Sequence, residues 1–259
     1  MRITGSHLRR AAIVAVTALL ATILTGAPTF ADEQPAYHPT RLAHVGKAGQ
    51  VIVVTAPTWR TSHATLRAYE RDGNGDWQQV VGATPARLGW SGLYLADQRR
   101  QGSGKTPAGT FGIPSAFGRL PDPGTALPYT QFDRNDAWTY NPKRPATYNI
   151  FQTVDTPWRT YGSYVERLWS YGKQYRYVAV MDYNLPSGKI RQGRDGVRRA
   201  TSPADTKAGG GIFLHVTNGT ATAGCIAIPQ STMGDILRWL DPTRKPVIVV
   251  GPESAIGRM

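Results

Sequence analysis

Gly209-Gly210-Gly211-Ile212-Phe213-Leu214-His215-Val216-Thr217-Asn218-Gly219-Thr220-Ala221-Thr222-Ala223-Gly224-Cys225-Ile226-Ala227-Ile228-Pro229 is the stretch on which the chain's organisation turns. It holds the one cysteine of the protein, Cys225, and a histidine, His215, set in an apolar run. Ile212, Phe213, Leu214 and Val216 have the make-up of a buried strand entered through glycines, and Asn218-Gly219 marks a turn. Gly224 lets the backbone approach a neighbour closely just before Cys225. A thiol and an imidazole at the two ends of one turn can meet, which is the minimum for a Cys/His nucleophilic site. A lone cysteine also packs as an inert small hydrophobe. With Gly224 and His215 beside it, the reactive thiol is the stronger reading, and an imidazole neighbour implies a thiol titrating below its usual value of about 8.5.

The N-terminus sets the compartment. Arg2, Arg9 and Arg10 precede an apolar segment from Ala11 to Leu24, and Thr29-Phe30-Ala31 resembles a signal-peptidase site. That order predicts a signal peptide over residues 1–31, a secreted, extracytoplasmic protein, and no stable membrane span after cleavage. A retained anchor is the other reading, and Arg9-Arg10 fits either an ordinary or a twin-arginine export signal. Removing the three arginines from a net charge of +13 leaves +10, spread along the chain. Scattered basic charge serves solubility, or attraction to an anionic polymer, which outside the cytoplasm means a wall glycopolymer, with the cell wall as the place of association, or anionic lipid. No nucleic-acid-binding signature is present, so no nucleic-acid partner is expected. One cysteine in an exported chain has no internal disulfide partner.

Outward from the central stretch, short strands dominate. Residues 32–48 are polar and read as a loose linker, 49–252 as one domain that holds the Cys/His pair, and 253–259 as a tail. Gln50 to Ala56 and Lys245 to Gly251, each with a Val-Ile-Val-Val core, read as buried strands. Ala64–Glu70 and Trp77–Val81 flank Asp72-Gly73-Asn74-Gly75-Asp76, a hairpin signal. That acidic turn imitates a calcium loop but has Trp77 and Ala83 where the loop needs Gly and Glu. Gly109 to Ile113, Tyr148 to Gln152 and Tyr175 to Tyr183 are further strands. Tyr164, Val165, Leu168 and Tyr171 have helical spacing, as do Met233, Ile236, Leu237 and Leu240 behind Ser231 as N-cap. Pro121 to Pro157 reads as aromatic-rich loops that either line a groove or seal the core, and Ser187 to Lys207 as a mobile basic loop. The sum is a mainly β domain with two or so short helices. Gly102-Ser103-Gly104-Lys105-Thr106 imitates the end of a P-loop, but Arg99 and Pro107 stand where that motif needs a glycine and a helix start, so no nucleotide is expected.

Two segments resemble the L,D-transpeptidase catalytic-domain family of bacterial cell-wall enzymes. Lys105-Thr106-Pro107-Ala108-Gly109-Thr110-Phe111-Gly112-Ile113 is similar to its Thr-Pro-x-Gly-x-(aromatic)-x-Ile segment. Ile212-Phe213-Leu214-His215, followed by Thr222-Ala223-Gly224-Cys225-Ile226, resembles its strand ending in His and its Ser/Thr-His-Gly-Cys-hydrophobic segment. The resemblance spans roughly Gln50 to Gly251 and implies a β-sandwich-like fold. It implies Cys225 as nucleophile, His215 as base, the Val216 carbonyl orienting the imidazole, and the Gly224 and Cys225 N–H groups as oxyanion donors. Thr222, Tyr183 and Asn184 are further candidates for contacting substrate. The implied partner is a peptidoglycan stem peptide, joined to a second stem in a 3→3 cross-link or hydrolysed, with no metal and no cofactor. Two departures stand out: Ala223 replaces the usual His before Gly-Cys, and Ala227 the usual Arg or Asn two residues after Cys. They motivate a second reading, a wall-binding module of the same fold without turnover. A third, a papain-like peptidase, requires the opposite order of Cys and His.

Overall fold

The computed structural model describes residues 35–153, 161 and 164–259. The signal-peptide expectation lies outside the described residues. Among those described, no helix is long and apolar enough to cross a membrane.

The described chain is mainly β. In chain order its strands are β1 (Gln50–Ala56), β2 (His63–Arg71), β3 (Trp77–Arg87), β4 (Leu93–Leu95), β5 (Thr106–Gly112), β6 (Ser115–Gly118), β7 (Tyr129–Gln131), β8 (Ala137–Thr139), β9 (Ile150–Gln152), β10 (Val165–Arg167), β11 (Val178–Val180), β12 (Ser187–Gln192), β13 (Arg198–Ser202), β14 (Phe213–Val216), β15 (Ile226–Ile228) and β16 (Val247–Pro252). One α-helix, α1 (Gln230–Trp239), follows β15. Eleven strands form one sheet in the order β4-β5-β16-β1-β2-β3-β15-β14-β11-β6-β7; β8, β9 and β10 form a second sheet, and β12–β13 a separate hairpin.

The two Val-Ile-Val-Val segments are neighbours. β1 and β16 pair in parallel, Ile52 opposite Ile248 and Val54 opposite Val250. Both faces of β1 are covered, which is why its sequence is an unbroken apolar run instead of an alternation. Ile52 and Val54 enter the main core with α1, whose Met233, Ile236 and Leu237 are fully buried there. Val51 and Val53 face a second cluster holding Leu42, Val45, Ala48, Ile256 and Met259.

That second cluster corrects two expectations. Residues 35–48 are no loose linker: Leu42, Val45 and Ala48 recur every third position and close the outer face of β1. The tail 253–259 packs beside them, with Ala255 and Ile256 buried. A third correction concerns the helix expected around Tyr164–Tyr171. Val165–Arg167 is a strand paired with β8, and only Leu168–Tyr171 turns helically, as a short 3-10 segment. Pairing with a sheet edge overrode the local spacing. Helix α1 begins after Pro229, which takes the N-cap position without a side-chain bond, so Ser231 lies inside the first turn instead of capping it. The basic segment after Ser187 is a two-stranded hairpin, with Ile190 opposite Ala200, and the expected strand from Tyr175 to Tyr183 is regular only over Val178–Val180.

Candidate active site

Strand alternation assigns the central stretch to two faces. Ile212, Leu214 and Val216 enter the main core, while Phe213 joins an aromatic cluster with Phe117, Trp138, Leu168 and Tyr175. His215 shares the face of Phe213 because strand side chains repeat every two residues. β15 runs parallel to β14, with Leu214 opposite Ile226 and His215 opposite Ala227. In that register Cys225 is level with Phe213, on the same face as His215 and about 7 Å along the strand direction from it. Cys225 belongs to the aromatic cluster, and both residues line one cavity of about 470 Å³.

The imidazole is held from two sides. Its Nδ1 lies 2.9 Å from the Val216 carbonyl oxygen. A proton on Nδ1 satisfies that contact and leaves Nε2 free as a base. The Tyr175 ring packs edge-on against it at 5.4 Å between centroids. His215 is only 3% exposed, and burial pushes its pKa down to about 4 despite the carbonyls of Val216 and Gln174. Cys225 is 7% exposed, and its thiol donates to the Gly211 carbonyl at 3.3 Å. Burial, and secondarily the nearby Glu166 carboxyl, push this thiol up to about 12; the Phe213 N–H and Arg99 act the other way. This corrects the expectation of a lowered thiol pKa. The resting pair is a neutral thiol and a neutral imidazole, because desolvation disfavours both charged forms.

The turn before the cysteine is fixed by Thr222. Its hydroxyl donates to the Cys225 carbonyl at 2.7 Å and accepts from the Gly224 N–H at 3.1 Å. Thr222 thus shapes the loop from within, although it also lines the cavity. Of the two expected oxyanion donors, the Gly224 N–H is already taken by a hydroxyl, which leaves that of Cys225. Gly224 has φ +144°, and a Cβ there would meet the Lys105 carbonyl at 2.9 Å and Arg99 Nη2 at 3.0 Å. The close approach anticipated at this glycine is to Lys105 and Arg99.

Tyr183 and Asn184 are not among the residues that line the cavity. The Tyr183 hydroxyl donates to the Ala208 carbonyl at 2.8 Å, and Asn184 Nδ2 to the carbonyls of Asp205 and Gly209 at 2.8 and 2.7 Å. They fasten the segment leading into Gly209–Gly211, and so support the wall without contacting a ligand. A third support is Asn149, 1% exposed, whose Oδ1 accepts from the Gly211 N–H and from Trp138 Nε1, each at 2.8 Å. Of the aromatic residues between Pro121 and Pro157, Phe132 and Trp138 are buried and Phe151 packs against their cluster; Tyr140 lines the cavity.

Sequence reasoning missed Arg99, Glu166, Tyr171 and Tyr175 on the cavity wall. Glu166 receives a hydrogen bond from the Tyr175 hydroxyl at 2.9 Å, and burial raises its carboxyl to about 7. Tyr171 stacks on Tyr175 at 4.8 Å. The helical spacing of 164–171 drew attention to Tyr171 alone and assigned it to a helix face, Tyr175 was read as the start of a strand, and Arg99 only as a residue that breaks the P-loop pattern. The mimicked phosphate loop is occupied by the protein itself. Lys105 Nζ donates to the Ser91 carbonyl at 2.7 Å, and buried Thr106 Oγ1 accepts from the Gly89 N–H at 2.8 Å. Among the described residues no group of His, Cys, Asp and Glu could hold a metal ion.

No curated protein sequence matches this chain. The profile of the YkuD family, the L,D-transpeptidase catalytic domain, matches residues 50–249. That span runs from the first residue of β1 into β16 and contains both His215 and Cys225, so the chain belongs to the L,D-transpeptidase catalytic-domain family, whose members act on peptidoglycan peptides.

Proposed function

We propose that this chain is an exported peptidoglycan L,D-transpeptidase that works through a thioester on Cys225 and becomes an L,D-carboxypeptidase when water is the acceptor. The observation that carries the reading is the placement of Cys225 and His215 on one face of adjacent parallel strands, lining one cavity, with Nδ1 of the imidazole on the Val216 carbonyl. The order of charge and apolarity in residues 1–31 supports export, and N-terminal sequencing of protein recovered outside the membrane should read Asp32 first; a Met1 start in the membrane fraction would overturn that part.

The thiol leaves the Gly211 carbonyl and turns toward Nε2 of His215. Because neither charged form is favoured at rest, proton transfer accompanies attack on the scissile carbonyl carbon. Sulfur bonds to that carbon, the thiol proton passes to His215, and the Cys225 N–H donates to the oxyanion, a contact worth on the order of 3 kcal/mol. Collapse breaks the bond to the terminal D-amino acid, whose nitrogen takes the proton from His215. The thioester is then attacked by a side-chain amine of a second stem, or by water, with His215 accepting the proton lost by the nucleophile and returning it to sulfur. The scattered basic surface would hold the protein near anionic wall polymers.

Intact-mass measurement after incubation with a stem tetrapeptide tests this. Wild type should gain the tripeptide acyl mass on Cys225, Cys225→Ala none and His215→Ala almost none. The double variant should be scarcely slower than either single, as for residues acting in one step. Retention on wall material without any adduct would make the chain a binding module.

A further inference from the structure

The charge balance of the cavity points to a second recognition element. Arg99 is 3% exposed, yet lines the cavity beside Cys225. Its Nε donates to the Lys105 carbonyl and its Nη1 to the Ala208 carbonyl, each at 2.8 Å. Tyr183 lies 5.5 Å below the guanidinium carbon, ring face toward it. These neighbours fix the plane of the guanidinium but leave its charge uncompensated. No carboxylate forms an ion pair with Arg99 among the described residues. Nη2 is directed at Gly224, where an added Cβ would stand 3.0 Å away. The carboxyl group on the wall, that of Glu166, is engaged with Tyr175 and approaches Gly211.

A buried cation without a counter-charge is costly unless a ligand supplies one. A guanidinium held by two carbonyls and the Tyr183 hydroxyl, in the wall of the cavity beside Gly224, suits a carboxylate. We infer that Arg99 binds the free C-terminal carboxylate of the acyl donor and so restricts this site to peptides whose last residue is uncapped. The inference rests on the acyl-transfer reading for the identity of the ligand. The carboxyl carbon of the leaving residue is three bonds from the scissile carbonyl carbon, which suits a cation packed against the residue preceding the nucleophile. Arg99 is then a specificity determinant that touches substrate, supplied by the loop after β4.

The competing role for Arg99 is mechanical, tying Lys105 to Ala208, and binding without turnover separates the two. The Cys225→Ala chain is titrated calorimetrically with a stem tetrapeptide ending in a free carboxylate and with its C-terminal carboxamide. The carboxylate should bind at least about tenfold tighter, as for a charge-assisted contact. Adding Arg99→Gln should reduce that preference to below about twofold, chiefly by weakening the carboxylate ligand. Arg99→Met, similar in length and uncharged, makes the same comparison should the Gln variant fail to fold. Equal binding of both ligands by the Cys225→Ala chain, binding of neither, or a preference kept in the Arg99 variants while both ligands weaken together would overturn the assignment. Because the comparison needs no thioester, failure of wild type to acylate would remove the catalytic reading and leave this measurement interpretable.

Discussion

Replacing Gly224 by alanine tests the idea that the nucleophile loop is shaped by a close backbone approach. At φ +144° the added side chain occupies a backbone region that costs on the order of 1–3 kcal/mol for an L residue. The new Cβ would also meet the Lys105 carbonyl at 2.9 Å, Arg99 Nη2 at 3.0 Å and Ile212 Cδ1 at 3.2 Å. None of these yields easily. The carbonyl belongs to the backbone and accepts from Arg99 Nε at 2.8 Å; Arg99 is anchored a second time at Ala208; Ile212 is core. Overpacking of this kind adds about 1–3 kcal/mol. The total, about 4 kcal/mol, should move the urea midpoint by about 1.5–2 M for a domain of this size. Gly75→Ala is the control, because its φ is +92° but nothing lies within 4 Å of its Cβ, so only the backbone term remains. Thioester formation in Gly224→Ala should fall about 100-fold, the cost of moving a reacting group by about 1 Å. If both glycine variants unfold at the same urea concentration and Gly224→Ala acylates at the wild-type rate, the close approach has no structural or catalytic weight.

Two further outcomes follow from the buried groups. His215 titrates near 4 when folded and near 6.5 when unfolded, so its neutral form contributes stability that is full above about pH 6.5 and lost as pH falls toward 4. Wild type should therefore lose about 3 kcal/mol more than His215→Gln between pH 7 and 4 by urea unfolding, and parallel pH profiles would show the imidazole to be freely protonated. Asn149→Leu leaves the Gly211 N–H and Trp138 Nε1 without their acceptor and adds a branched residue at φ +59°, so it should cost at least about 3 kcal/mol and speed alkylation of Cys225 by loosening the Gly211 carbonyl. A loss under about 1 kcal/mol would show that the network is not holding that wall.

Legibility followed the range of the signal. β1 was readable to the residue because covering both faces of a strand leaves an unbroken apolar run, and the hairpin of β2 and β3 because Asp72–Asp76 carries its own turn chemistry: Asp72 Oδ1 accepts from the N–H groups of Asn74 and Asp76. His215 and Cys225 were readable because both lie in one segment, and alternation assigns one to the face of Phe213. The electrostatics were not. The raised thiol follows from burial in an aromatic cluster drawn from β6, β8, β11 and β14, and from Glu166 on β10, none adjacent in sequence to Cys225. Residues 35–48 misled because their polar positions outnumber Leu42, Val45 and Ala48, and nothing local reveals that the outer face of β1 needs a cover. Tyr183 and Asn184 ended a strand pointing at the site, but their side chains reach the loop behind it.

The two departures from the family pattern make sense together once the register is known. Ala227 is 1% exposed and sits opposite both His215 on β14 and Arg87 on β3, on the face of β15 that carries Cys225. A long polar side chain there would rise beside the imidazole and the thiol from the strand floor. In this chain that floor is alanine, and the guanidinium on the same cavity wall comes from a loop, from Arg99, packed against Gly224. A cation delivered by a loop requires a residue before the nucleophile with no side chain, and two carbonyls to hold the guanidinium flat; Gly224, Lys105 and Ala208 meet those conditions. Ala223 is exposed at the cavity mouth, where a larger residue would narrow the same approach. On the acyl-transfer reading, losing polar groups at 223 and 227 therefore relocates substrate recognition without emptying the site, and Arg99→Gln should impair the carboxylate donor more than a polar residue restored at Ala227 can repair.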